Sequence, residues 1–354
     1  MRRSARERGV DWAAHVDALS RRERDVLRPL ALEFARGSGL GMGPYENENG
    51  DATTTSTSQY PSYYLKPFHS YEQGNLEWIA AYEVEPASLA IAMRTFAADA
   101  PPAASADSPE MAAFAANAMA RMRQQITQAV REYVVDRQGL PLPRRVLDAG
   151  CSTGISTRWL GAEFEKRAGA GGEAAAAPLD ALVGLDLSPY FLAVAEDEER
   201  RRWGQDDGEG TSDADASSSA LLGARAAPKT LTRPTYVHGL AERAPFPDAS
   251  FDLVAFNFVA HECPGVAIDA FCAEAKRLLE PGRGVLYFSD NDPQSATIQN
   301  LPAPIFTLMK STEPWSDEYY SFSLEDALRR AGFVDVVKVA SDHRHRVVMG
   351  RRGD

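Results

Sequence analysis

Val146 to Thr157, Val-Leu-Asp-Ala-Gly-Cys-Ser-Thr-Gly-Ile-Ser-Thr, is an apolar run that ends in small residues and feeds a helix, and it constrains the fold more than any other stretch. Gly150 and Gly154 carry no Cβ, so the backbone can turn sharply there and come close to a ligand. The helix that follows offers N–H groups without intrahelical partners. Asp148, at the strand's end, can accept a hydrogen bond from a cation or an amine. The stretch reads as a nucleotide-binding turn built from Asp148, Gly150, Cys151, Ser152 and Gly154. A glycine turn with no ligand is the plain alternative.

Two other chemistries fit the same letters. Gly150-Cys151-Ser152-Thr153-Gly154 matches the G-x-S-x-G nucleophile elbow of α/β-hydrolases, but that fold needs strands and an oxyanion loop upstream, where this chain reads as helical. The dinucleotide fingerprint G-x-G-x-x-G is broken, because Ser152 stands at its second glycine. The next apolar strand, Ala181 to Asp186, favours a nucleotide: an acid at the end of a second strand reaches ribose hydroxyls. Ser188 and Pro189 supply an N-cap and a first helical residue, so Asp186 sits at a strand-to-helix corner. Without the Ala/Gly-rich insertion Ala168 to Pro178, Gly154 and Asp186 lie about 20 residues apart, the usual interval.

With these stretches, Ala244-Pro-Phe-Pro-Asp-Ala-Ser-Phe-Asp252 and Leu278-Leu-Glu-Pro-Gly-Arg-Gly284, the chain from about Pro143 to Arg351 resembles the class I S-adenosylmethionine (SAM) methyltransferases. The likeness is to the type 11 group that includes ubiquinone and menaquinone methyltransferases. It implies a doubly wound, seven-stranded, mostly parallel Rossmann-like α/β sheet with an antiparallel last strand and a helical N-terminal cap. It also implies SAM across the ends of the first two strands, with Gly150 to Gly154 under its carboxypropyl end and Asp186 on the ribose, and no metal. Leu187, Leu240, Ala241, Asn257 and Phe258 complete the implied cofactor site. In the family an acid usually stands at the position of Leu240 and helps bind the adenine amine; here backbone groups or Glu242 are left to do so.

The chain has 354 residues and long low-complexity stretches, which suits one core domain, 141–351, behind a helical cap, 1–140. Two segments have too few apolar residues to order themselves, near 38–59 in the cap and near 203–228 in the domain. A net charge of −12 without a sizeable basic cluster argues against nucleic acid. No apolar run is long enough to span a bilayer. Three cysteines at no metal or disulfide spacing point to an intracellular, reducing compartment. Cytoplasm and plastid are both compatible, since Met1 to Arg8 is Arg-rich but followed by acids.

In the cap, Ser20 to Glu23 is a capping-box pattern ahead of a short helix that Pro29 bends or restarts. Ser108-Pro109 opens a long amphipathic helix with Met111, Phe114, Ala118, Met122, Ile126, Val130 and Val134 on one stripe. Tyr60 to Glu85 crowds aromatic residues with polar ones, a composition suited to a small-molecule pocket wall. Its phrase Leu65 to Trp78 resembles the N-terminal region of a sparsely characterised methyltransferase subgroup from photosynthetic organisms. His69, Tyr71 and Glu72 are its candidate substrate contacts, with Tyr319 in a second wall, Lys310 to Tyr320.

Phe251 to Phe258 is apolar throughout, as a strand buried on both faces requires, and His261 and Glu262 follow its carboxyl end, where ligands of open α/β sheets bind. His261 is the candidate general base, titrating near neutral pH, with Glu262, Glu72 or His69 to orient it. The expected activity is methyl transfer from SAM to a small or amphipathic organic acceptor. A SAM-binding or assembly module without turnover is the second reading, which Leu240 favours.

Overall fold

The computed structural model describes residues 20–45, 59–102, 105, 108–168, 174–204 and 230–354. The Arg-rich start, most of the 38–59 segment and most of the 203–228 insertion lie outside the described residues.

Seven strands form one sheet: β1 Arg145–Ala149, β2 Ala181–Asp186, β3 Thr235–His238, β4 Leu253–Asn257, β5 Val285–Asn291, β6 Phe333–Ala340 and β7 His345–Arg352, in the order β3-β2-β1-β4-β5-β7-β6. Pairs among β3, β2, β1, β4 and β5 are parallel. The last strand, β7, runs antiparallel to both neighbours. From β1 the chain winds outward to β2 and β3, then returns to β4 on β1's other side. A crevice therefore opens between β1 and β4 beyond their carboxyl ends, the usual ligand position in such sheets.

Helices cover both faces. Ile126 and Val130 of α3, Pro109–Glu132, meet Val146 and Leu253 on one face, and Ile268 and Phe271 of a helix at Gly265–Leu278 meet Val254 and Leu286 on the other. Each such buried side chain contributes roughly 1.5–3 kcal/mol. The parallel strands can be apolar on both faces because both are covered.

The remaining N-terminal elements are α1, Arg28–Ser38, and α2, Trp78–Thr95. Their apolar side chains share a cluster with Tyr190 and Phe191 of the helix after β2, Pro189–Arg202. Trp78 meets Tyr190 edge-on with ring centroids 4.9 Å apart, and Ser188 Oγ donates to the Asn75 carbonyl at 2.6 Å.

Several local expectations hold. Ser108 and Ser188 each cap a helix through Oγ, accepting from Met111 N and Phe191 N. Others are corrected. Ser20 is already helical, and Glu23 lies in a π-helical turn, Glu23–Leu27, where it accepts from Tyr82 Oη instead of closing a capping box. Pro29 follows that turn; its missing N–H and its ring disfavour a tight α-helical approach, and the wider turn accommodates both. Helix α2 runs through Pro86, which hides it from periodicity, and is fixed by burial of Trp78, Ala80, Ala81 and Ala92. The Ala/Gly-rich insertion is not featureless: Lys166–Ala168 pairs antiparallel with Ala174–Ala176.

Candidate functional site

The turn after β1 is held by its own backbone. Gly150 and Cys151 N–H both donate to the Leu185 carbonyl of β2, at 2.7 and 3.1 Å, and Gly154 N–H donates to Cys151 at 2.9 Å. These groups are spent on shaping the loop. Gly150 and Gly154 have φ of 71° and 77°, and an added Cβ would lie 2.5 Å from Val259 Cγ2 and 2.1 Å from Tyr236 Oη. Both glycines are thus required by conformation and by packing against protein side chains.

Ser152 sits at the tip with φ 52°. Its N–H donates to Asp186 Oδ2 at 2.8 Å, and its buried Oγ has no partner among the described residues. An unsatisfied buried hydroxyl costs about 1–3 kcal/mol, so a ligand atom that bonded it would be favoured. The same orphan hydroxyl disposes of the hydrolase reading, because no histidine bonds it and no strand precedes β1 among the described residues.

Asp186 is buried at the end of β2 and accepts from Ser152 N and Ser188 N, each at 2.8 Å. Burial pushes its carboxyl up to about 6, although those two N–H groups favour the ionised form. Asp148 has a different task. Ser156 Oγ and Thr157 Oγ1 donate to its Oδ2 at 2.7 Å, and Asn257 Nδ2 donates to Oδ1 at 2.9 Å. Asn257 Oδ1 accepts in turn from Tyr287 and Ser289. The pair clamps β1, β4, β5 and the helix after the loop together.

A cavity of about 540 Å³ extends from this corner toward the N-terminal helices. Gly150, Cys151, Ser152, Asp186 and Leu187 line one end. Ala241, Asn257 and Phe258 line it further along, and His69, Tyr71, His261 and Glu262 stand in the same cavity. Other candidates lie elsewhere. Asp148 and Gly154 stand behind the wall, Leu240 faces a separate groove beside β3, and Glu72 is exposed to solvent. Tyr319 is fully buried with its Oη on the Asn291 carbonyl; its ring backs His261 at 6.3 Å between centroids.

His261 is oriented by Asp290, at the end of β5. The carboxylate lies 3.0 Å from Nδ1 and also accepts the His261 N–H at 3.0 Å. Burial alone lowers an imidazole's proton affinity, but the Asp290 charge and hydrogen bond, with Glu313 and Glu262 behind them, outweigh it and hold His261 at about 10. The ring therefore holds a proton more tightly than a free imidazole does. Glu262 accepts from Asn75 Nδ2 at 3.0 Å, and burial raises its carboxyl against the pull of His261. Tyr63 Oη donates to Glu242 at the cavity edge.

Three further residues belong to the site. Asp290 stands one residue before the end of β5, much as Asp186 ends β2, so the same argument from strand ends applies to it. Glu313 lies in the second wall, 3.5 Å from His69 Nε2. Arg123 belongs to the buried stripe of α3 with Met119, Met122 and Ile126, a spacing that marks an inward-facing cation. Its guanidinium lies 5.0 Å from the Phe258 ring centroid, its Nε has no hydrogen-bond partner among the described residues, and burial lowers it to about 10.

A family model described as a methyltransferase domain matches residues 147–288. An uncharacterized methyltransferase of Synechocystis sp. is 32% identical over 130 residues, 34% of this chain and 60% of the relative, so less than two thirds of that protein is spanned. Among solved structures, phosphoethanolamine N-methyltransferase 2 of Haemonchus contortus, in complex with S-adenosyl-L-methionine, matches at 16% identity and a TM-score of 0.40 over 67% of this chain and 57% of that one. Human N-acetylserotonin methyltransferase, in complex with SAM, matches at 12% identity and a TM-score of 0.40 over 79% and 71%.

Proposed function

We propose, from the premise that this chain carries a class I SAM-dependent methyltransferase domain, that it is an enzyme which methylates a small or amphipathic organic acceptor. The observation that carries the reading is one continuous cavity joining Asp186 and Ser152 to His261 and Glu262. Ser152, Asp186 and Arg123 line that cavity, and the Ser152 hydroxyl and Arg123 Nε, unpartnered among the described residues, with the buried Asp186 carboxylate suit the hydroxyl, amine and carboxylate groups of the cofactor. When bound, SAM supplies a methyl group on an already activated sulfonium, so the protein's part is alignment and exclusion of water.

In this reading Asp186 accepts from the ribose hydroxyls and Ser152 Oγ bonds the amino-acid end. Arg123 lines the same cavity as the Gly150 turn and takes the cofactor carboxylate. Ala241 and Leu187 flank the adenine. Tyr63, Tyr64 and Phe68 wall the acceptor end, helix α2 closes it from solvent, and His261 and Glu262 set its polarity. With Nδ1 held by Asp290, His261 turns Nε2 to the acceptor end, where its N–H donates a hydrogen bond to an acceptor oxygen and steadies the anion that attacks. Glu262, raised by burial, is the better placed group to take the acceptor's proton.

Titration calorimetry with SAM and S-adenosylhomocysteine, then incubation of the full chain with methyl-labelled SAM and a fractionated metabolite extract, tests this. Binding plus a labelled small molecule supports it. Binding without any labelled product leaves the inert SAM-binding module as the better account, and absence of binding refutes both.

A further inference from the structure

At the far end of the cavity, one ring nitrogen of His69, one of His261 and a carboxylate oxygen of Glu313 all lie within 4.8 Å of one another. We propose that these three residues bind a single divalent cation of the zinc type. Donors about 2.0–2.2 Å from a tetrahedral centre stand roughly 3.3–3.6 Å apart, and His69 Nε2 and Glu313 Oε1 are already 3.5 Å apart. The His261 nitrogen lies within 4.8 Å of both, and binding draws it in toward the cation.

The surroundings are those of a metal ligand set. Asp290 holds Nδ1 of His261, which leaves Nε2 as the ring atom able to give a lone pair, the carboxylate–histidine arrangement that fixes tautomer and basicity in metal sites. The His69 N–H donates to the Thr312 carbonyl at 2.8 Å, so one backbone bond holds His69 beside Glu313 from a distant part of the chain. His69 and Ser70 are kept at φ 50° and 70°, a conformation that costs energy for residues other than glycine. Two nitrogens and one carboxylate suit Zn2+, Co2+ or Mn2+ better than Mg2+, which prefers oxygen. Asp290 and Glu262 add negative charge around the cation.

Binding exchanges one proton for the metal: the Nε2–H of His261 breaks, the Nε2–metal bond forms, and the proton leaves to solvent. Three protein ligands leave a coordination position open to the cavity, where an acceptor hydroxyl or carboxylate oxygen can bind and be polarised, the cation taking over the part that the His261 Nε2–H plays in the metal-free chain. That use of the metal rests on the methyl-transfer reading; metal binding itself does not.

The test uses the full chain, stripped with chelator and titrated with Zn2+ and with Co2+ in the absence of SAM. Expected are one equivalent bound, visible Co2+ bands without a thiolate charge-transfer band, and at least about 100-fold weaker binding in both His69→Ala and Glu313→Gln. His69 is exposed, so its variant should keep the parental circular dichroism and the parental SAM affinity. Absence of stoichiometric binding, a thiolate band from the buried cysteines, or unchanged affinity in His69→Ala each overturns the site. If metal binds as expected while SAM does not, the cofactor reading fails and the metal site stands.

Discussion

Asp290 grips His261 twice, with one carboxylate oxygen 3.0 Å from Nδ1 and the other 3.0 Å from the backbone nitrogen. A double hold fixes both the ring's position and its tautomer. Tyr319, buried behind the ring, removes the remaining freedom. The polar end of the cavity is therefore set by the end of β5 and not by the N-terminal aromatic segment.

Asp186 gives a pH signature for cofactor binding. Its carboxyl is raised to about 6, so it is ionised above that pH and a poorer acceptor of ribose hydroxyls below it. SAM affinity should stay level above about pH 7 and fall as pH drops through 6, approaching tenfold per unit. Asp186→Asn should bind about 10–100-fold more weakly at pH 8 and lose the dependence. Calorimetry from pH 5 to 8 measures it; a level profile in the parent removes Asp186 from the ribose.

Arg123 is separable from the rest of the cofactor site by the choice of ligand. Loss of a charge-assisted hydrogen bond is worth about 1.5–3 kcal/mol, so Arg123→Met should weaken SAM roughly 10–100-fold. Methylthioadenosine, which lacks the amino-acid end, should bind the variant and the parent alike. Equal loss for both ligands would mean that Arg123 shapes the cavity and does not touch the carboxylate.

Gly154 should matter for stability. With φ at 77° and the space for a Cβ taken by Tyr236, Gly154→Ala should cost about 1–3 kcal/mol in urea unfolding. Tyr236→Phe removes the nearest atom of the clash, so the double variant should be more stable than the sum of the two single changes. Simple additivity would locate the strain elsewhere.

His238 predicts a loss of stability in acid. Its ring is buried between Ser38 Oγ at 2.7 Å, Tyr60 Oη at 3.1 Å and the Leu187 carbonyl at 3.0 Å, and burial lowers it from 6.5 to about 4. The unfolded chain binds the proton first. Stability is then complete above pH 6.5 and is lost as pH falls toward 4, by about 3 kcal/mol in all. His238→Gln should show a shallower decline across that window. If the two curves run parallel, His238 is not the group responsible.

How much could be read in advance differs by region for physical reasons. The sheet was legible because each buried strand must be apolar and each strand-to-helix corner needs a cap, and Ser188 and Pro189 supply theirs in sequence. Asp186 was legible for the same reason, being an acid where an apolar run stops. The partner of His261 was not, because Asp290 approaches it across 29 positions and no local spacing records that distance. Helix α2 was hidden by Pro86 and is stabilised by contacts with Tyr190 that a local pattern does not contain. Asp148 and the loop N–H groups looked free for a ligand, since a sequence names donors and acceptors without showing which already bond one another.

The edge-on contact between Trp78 and Tyr190 also sets an order of events during synthesis. At 5–20 residues per second, Tyr190 leaves the ribosome roughly 6–22 s after Trp78. For that interval the cluster that α1 and the start of α2 build around Tyr190 and Phe191 is incomplete, because its centre is the helix that follows β2. The N-terminal third of the chain is thus made first and seated late, and it is the part for which a nascent-chain chaperone has the longest opportunity to bind. Moving this segment to the carboxyl end by circular permutation should shorten that exposure and raise the soluble yield of the newly made protein.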